Sequence, residues 1–224
     1  MFCVGLLVVC RADYRNGYTF QVGNKVSSMK WLEQCSIIEG NLEIKWLYSN
    51  ISPQNFSGVS FPKLEEITGY LMLFRVDGLS TIGQLFPNLR VIRAQEEFFD
   101  FGIVLYENKD LMSISLHKLG YVGGNSNLVA MFNPQLCYVD DYVKWDLITS
   151  IRQPPTTSKN RRKRNGCDLV DGCPANCKDS CWDMDSCQKG NIFFVLFFYV
   201  RVIFLFFEVE ASFVVYFFVV CSQQ

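Results

Sequence analysis

Gly40-Asn41-Leu42-Glu43-Ile44 is echoed by Gly69-Tyr70-Leu71-Met72-Leu73, and again by Phe101-Gly102-Ile103-Val104-Leu105. A fourth line is Asn127-Leu128-Val129-Ala130. Counted from Leu42 to Leu71, Ile103 and Leu128, the lines lie 29, 32 and 25 residues apart. A second phrase repeats around them, Phe61-Pro62-Lys63-Leu64-Glu65-Glu66-Ile67 returning as Phe86-Pro87-Asn88-Leu89-Arg90-Val91-Ile92. Repeats of this length with one short strand each predict stacked coils, a solenoid. Such a stack implies a long sheet face rather than a catalytic pocket.

Within each line the apolar residues alternate, as a strand with two distinct faces requires. Leu42, Ile44, Leu71, Leu73, Ile103, Leu105, Leu128 and Ala130 are predicted to stack inward. A second inward row follows from Leu79 and Ile82, Leu111 and Ile114, Leu136 and Val139. Asn108 and Asn133 match across the last two coils, as turn asparagines whose side chains bond backbone would. By parity the outward face carries Glu43, Lys45, Met72, Phe74, Val104, Tyr106, Val129 and Met131. Three of its four lines offer apolar or aromatic residues to solvent. An apolar patch of that kind marks either an interface or a surface covered by another part of the protein.

The 224 residues suffice for one core plus a small module. A net charge of −1 gives no electrostatic footprint for nucleic acid. Ten cysteines point to an oxidising compartment. The sequons Asn50-Ile51-Ser52 and Asn55-Phe56-Ser57 agree, making Asn50 and Asn55 candidate glycosylation sites. No enzyme is expected. The kinase-like triplet Asp100-Phe101-Gly102 lacks a Gly-rich loop, an H-R-D and a strand lysine. The single histidine, His117, has no nucleophile or metal-ligand pattern around it. No cofactor and no metal are expected.

The chain divides into five pieces. Residues 1–9 read as a remnant of a signal-peptide apolar region or as a mis-assigned start. Residues 10–150 hold the ladder. Residues 151–166 form a polar, Pro-containing linker or loop. Its run Arg161-Arg162-Lys163-Arg164 is either a solvated charged loop or a proprotein-convertase site cut after Arg164. Residues 167–189 carry Cys167, Cys173, Cys177, Cys181 and Cys187 with too few apolar residues for a core. Disulfides are favoured over zinc there, because the spacing lacks the paired C-x2-C knuckles of common zinc sites. Residues 190–224 are dense in Phe and Val and interrupted by Arg201, Glu208 and Glu210. That stretch reads as translated intron or as a poor membrane anchor.

Several phrases resemble one known family. Cys35-Ser36-Ile37-Ile38-Glu39-Gly40-Asn41-Leu42 resembles the opening of a receptor L domain. Ser60-Phe61-Pro62-Lys63-Leu64, Tyr70-Leu71-Met72-Leu73-Phe74-Arg75-Val76, Leu85-Phe86-Pro87-Asn88-Leu89 and Val91-Ile92-Arg93 extend the likeness. Together they resemble the first L domain of the insulin and insulin-like growth factor receptors. Cys181-Trp182 and Cys187-Gln188-Lys189 resemble the start of the furin-like cysteine-rich region that follows it. The likeness runs from about Cys10 to Lys189.

The resemblance implies a mainly β fold: a right-handed β-helix, the leucine-rich-repeat-like L domain solenoid, followed by a small disulfide-rich module. It implies that the sheet face binds an insulin-like peptide hormone. Asp13, Arg15 and Asn16 match the family's polar contacts, and Phe74 a central aromatic one. Phe98 and Phe99 match an aromatic pair entering the third strand. Phe101, Tyr106 and Glu107 occupy contact positions, and Tyr48, Pro53 and Phe56 match the loop beside them. Lys45 and Glu97 stand where the family has apolar contacts. Val129 and Met131 replace an Arg and an acid, departures that bear on which peptide is bound. The implied disulfides are Cys10–Cys35, Cys137–Cys167, Cys173–Cys181 and Cys177–Cys187, leaving Cys3 and Cys221 over.

The expectation is therefore an extracellular or cell-surface hormone-binding fragment of an insulin-receptor-type receptor tyrosine kinase. In the full-length context such a receptor forms a homodimer. The competing expectations are a structural solenoid for receptor dimer or adhesion contacts, and a soluble decoy receptor.

Overall fold

Each strand of the ladder has one apolar face, and that face can be buried only against a neighbouring element. The computed structural model, which describes residues 7–47, 56–140, 142–149, 155–157, 172–177 and 180–188, meets this demand with parallel pairing between repeats. The strands in chain order are β1 (Val9–Arg11), β2 (Thr19–Gly23), β3 (Ile37–Glu39), β4 (Asn41–Leu47), β5 (Glu66–Ile67) and β6 (Leu71–Val76). They continue as β7 (Val91–Ile92), β8 (Phe101–Tyr106), β9 (Tyr121–Val122), β10 (Ser126–Met131) and β11 (Thr156–Thr157). The smaller sheet has the order β1-β3-β5-β7-β9 and the larger β2-β4-β6-β8-β10-β11. All pairings in both are parallel. Among the described residues, helix is confined to the single turn α1 (Ile82–Leu85) and short 3-10 stretches, of which Val26–Gln34 is the longest. The chain is mainly β, with parallel sheets, few helices and disulfides.

The quoted repeats lie side by side. Leu42 pairs with Leu71, Leu71 with Ile103, and Ile103 with Leu128. Ile44, Leu73, Leu105 and Ala130 form the next row. All eight side chains are buried in one core, as are Leu79, Ile82, Leu111, Ile114, Leu136 and Val139. Each Leu or Ile contributes roughly 1.5–3 kcal/mol by leaving water. The ladder glycines mark close approach between coils. A Cβ at Gly40, whose φ is +124°, would sit 2.1 Å from the Tyr18 carbonyl oxygen. One at Gly69 would sit 1.9 Å from Asn41 Oδ1.

The structure adds a strand per repeat that periodicity does not disclose. The Phe-Pro phrases end in the two-residue strands β5 and β7, which pair as Glu66–Val91 and Ile67–Ile92. Alternation cannot be seen over two residues. Their leading Phe61 and Phe86 are buried against each other with centroids 6.0 Å apart.

The disulfides Cys10–Cys35, Cys173–Cys181 and Cys177–Cys187 are formed. Four of the five cysteines in the last piece are thus held in cystines rather than offered to zinc. Cys137 is also disulfide-bonded, and its expected partner Cys167 lies outside the described residues. So do Tyr48, Asn50, Pro53, Asn55, Arg164, Cys3, Cys221 and the apolar tail. The last described segment folds as the hairpin β12 (Cys181–Asp183) and β13 (Ser186–Cys187). Trp182, 1% exposed, reaches from it into the main core and meets Trp145 edge-on at 6.2 Å. Gln188 fastens the same hairpin by accepting from the Lys144 N–H (2.7 Å) and donating to the Lys144 carbonyl (2.9 Å).

Candidate functional site

The outward side of the larger sheet is built from two register rows. One is Gln21–Glu43–Met72–Val104–Val129 and the other Gly23–Lys45–Phe74–Tyr106–Met131. Parity places Met72 and Val104 in solvent, and here the structure corrects it, burying them to 7% and 4% exposure. Tyr70, Phe74, Phe98, Phe101 and Val129 close around them in a second apolar cluster. A sheet face this apolar lowers its own exposure by drawing aromatic side chains over itself.

At one margin of this cluster the chain makes a two-residue hairpin. Phe98 and Phe101 exchange both backbone hydrogen bonds (3.1 and 3.0 Å), with Phe99 and Asp100 at its tip. Both tip residues have left-handed φ, 48° and 72°. Asn-Gly is the usual occupant of such a turn, because each position needs positive φ. Phe99 is a costly choice there, and its ring is 81% exposed. It packs edge-on against Phe98 at 4.8 Å, and Phe98 leans on Tyr70 at 5.7 Å.

At the other margin, one residue beyond the second row, stand Asn24, Trp46, Arg75, Glu107 and Phe132. Their φ values are 68°, 62°, 54°, 54° and 58°. Each is a left-handed step, inside β4 and β6 and just past β2, β8 and β10, that costs a non-glycine residue roughly 1–2 kcal/mol. The step breaks the alternation and brings these side chains beside the outward face. Trp46 meets Phe74 at 4.6 Å, Phe74 meets Tyr106 at 5.6 Å, and Tyr106 meets Phe132 at 5.3 Å. The Arg75 guanidinium lies 5.3 Å from the Trp46 ring centre and 5.1 Å from that of Phe74, and it pairs with Glu107. Cation–π contact and ion pairing together fix this ladder of rings.

Polar groups within the face are paired. The Tyr70 hydroxyl donates to Glu43 Oε1 at 2.6 Å, and Lys45 Nζ donates to Glu43 Oε2 at 2.7 Å. Burial, reinforced by the Glu43 carboxylate, pushes the Tyr70 phenol well above its ordinary range. Asn41 accepts from the Tyr70 N–H and donates to Thr19 Oγ1 and Glu96 Oε2. Glu97 accepts from the backbone and side chain of Asn125.

The residues singled out from the sequence fall into three places. Phe74, Phe98 and Phe101 share the apolar cluster, Phe99 stands at its rim, and Tyr106 and Glu107 belong to the ring ladder. Asp13, Arg15 and Asn16 are exposed on the turn before β2. There the Arg15 guanidinium and N–H hold the Asp13 carboxyl below its ordinary range. Asp13 and Asn16 line an open depression with Arg11, Thr19, Phe20 and Gln21, at the β2 edge of the sheet. Phe56 does not join these groups. It is 3% exposed and spent on the main core, so a ligand could meet it only by opening that core. Trp46, Tyr70 and Phe132 also belong to the face and were not singled out. Alternation assigns Trp46 and Phe132 to the inward side, and only the left-handed step brings them out.

The Receptor L domain family profile matches residues 34–149. The chain is 35% identical over 193 residues to the insulin-like peptide receptor of Branchiostoma lanceolatum. That match covers 83% of this chain and 14% of the receptor. It is 34% identical over 200 residues to the insulin receptor of Xenopus laevis, again 82% of the chain and 14% of the receptor. A shorter stretch of 127 residues, 57% of the chain and 6% of the receptor, is 40% identical to the insulin-like receptor of Drosophila melanogaster. The chain therefore spans a small fraction of the length of each of these receptors. With its parallel sheets, paired cysteines and profile match together, this chain belongs to the receptor L domain family.

Proposed function

We propose that this chain is an extracellular hormone-binding region of an insulin-type receptor, and that the outward face of the larger sheet takes up an insulin-like peptide. Strands that alternate between two parallel sheets support winding as a right-handed β-helix. That winding would make the face one continuous surface. The observation that carries the reading is Phe99, an exposed aromatic held in a left-handed conformation at a hairpin tip beside a ladder of rings. Strain of that kind persists where the exposed side chain has a use. Rigid aromatic rings flanked by a few charges are the residue types that dominate peptide hot spots. Disulfides fit an oxidising, extracellular setting, and the similar proteins are named as insulin and insulin-like peptide receptors.

The test is equilibrium binding of endogenous insulin-like peptides to the secreted chain and to its Phe74→Ala and Phe99→Ala variants. Each substitution is expected to weaken binding at least about tenfold, with circular dichroism and melting unchanged for Phe99→Ala. Retention of binding in both variants would sink the proposal. Loss of self-association in sedimentation with peptide binding intact would favour a dimerisation scaffold instead.

A further inference from the structure

The Glu43–Lys45 pair is out of place on an apolar face, and its two members are unequally buried. The Glu43 side chain is 9% exposed and the Lys45 side chain 24%. One Glu43 oxygen takes the Tyr70 hydroxyl and the other takes Lys45 Nζ. The carboxylate is thus both covered and engaged. An ammonium has three N–H donors and no acceptor, so the bond to Glu43 leaves Lys45 donors over. Next to Lys45 in register on the β2 side is Gly23, which presents no side chain. On the opposite side are Phe74 and then Tyr106. The accessible member of the pair is therefore positive, with a glycine on one flank and the ring ladder on the other.

From this we infer that the face selects peptides that place a carboxylate against Lys45 while apolar side chains cover Phe74 and Tyr106. The inference rests on the reading of this face as a peptide-binding surface. Covering the face strips water from the ammonium. A peptide with an aliphatic side chain at that point leaves those donors unsatisfied, at a cost in affinity. A carboxylate replaces the lost water with a charge-assisted hydrogen bond. Glu43 anchors the ammonium in the face, and the Tyr70 hydroxyl orients Glu43. Lys45 thus acts against one class of ligand as much as for another, which is how specificity is commonly built.

The test uses a random-sequence peptide library displayed on phage, selected in parallel on the full chain and on two variants. Lys45→Met removes the ammonium. The double variant Glu43→Gln/Lys45→Met removes both charges yet keeps an acceptor for Tyr70. This covers the case in which the single substitution unfolds the chain. Only clones whose binding falls with Phe74→Ala are counted. Peptides from the parent are expected to be enriched in Asp and Glu relative to peptides from the double variant. Their affinity should drop at least about tenfold on Lys45→Met and be largely kept by Lys45→Arg. Equal acid content in Phe74-dependent clones from parent and double variant would overturn the inference and leave the binding face standing. Recovery only of clones indifferent to Phe74→Ala would overturn both.

Discussion

Asn108 shows how much one side chain can satisfy in this stack. It is 1% exposed. Its Oδ1 accepts from the Val76 N–H at 3.0 Å, and its Nδ2 donates to the Leu73 carbonyl and to Asn133 Oδ1, each at 3.0 Å. Asn133 repeats the motif one coil on, donating to the Leu105 carbonyl and accepting from the Asn108 N–H, both at 2.9 Å. Adjacent coils are thereby tied by side chains as well as by the strand ladder. Asn108→Ala would strand buried backbone groups and is expected to lower stability by about 2–3 kcal/mol. Asn108→Asp should cost at least as much, since a carboxylate cannot donate to Leu73. The double change with Asn133→Ala should cost less than the two single changes added, because they share partners. Urea denaturation of the four proteins decides the point. A loss below about 0.5 kcal/mol, within the range of ordinary surface changes, would show that water replaces the side chain.

At the scale of the element, the Phe98–Phe101 hairpin sets function against stability. Replacing Phe99-Asp100 by Asn-Gly supplies the residues its backbone prefers. The variant should be more stable by about 1 kcal/mol in thermal denaturation while losing affinity for the peptide. If stability and binding fell together, the turn would be structural and Phe99 merely tolerated. The same hairpin marks the limit of what was legible beforehand. Leu42, Leu71, Ile103 and Leu128 disclosed the larger sheet, because four strands of six or seven residues alternate visibly and recur at similar offsets. Strands β5, β7 and β9 are two residues long, so no period exists to be read in them. Phe74 and Tyr106 could be placed outward by parity. Met72 and Val104 could not be placed as buried, because alternation assigns a face and says nothing of the rings that gather over it. Trp46 and Phe132 were hidden for a different reason: the left-handed φ at each reverses the face that alternation assigns. The Glu43–Lys45–Tyr70 arrangement joins residues 27 apart in the chain, and no local pattern announces it.

For the molecule as a whole, the last described hairpin is packed into the stack rather than standing apart from it. Its cystines tie β12 to Cys173 and β13 to Cys177 in the segment before it, and Trp182 enters the core that also contains Leu42 and Ile103. Asp183, the next residue, accepts from Ser115 Oγ at 2.5 Å, Ser186 Oγ at 2.6 Å and the Asp185 N–H at 2.9 Å. Burial alone would raise its carboxyl. The hydrogen bonds from Ser115, Ser186 and Asp185 outweigh burial and hold it below the ordinary carboxylate value. A lowered folded pKa means that the ionised form is the one the fold favours. Its contribution is therefore complete above the ordinary value near 3.9 and fades as pH falls through the lower folded value. Acidification is expected to loosen this hairpin, and Ser115→Ala should move the loosening to higher pH by removing one donor. Trp182→Ala should act at every pH, at about 3–5 kcal/mol for a buried aromatic. Near-UV circular dichroism of the full chain across an acid titration separates the two effects. A Ser115→Ala curve that overlays the parent would show that Asp183 does not couple the hairpin to the stack. A Trp182→Ala protein melting with the parent would show that the core closes without that ring.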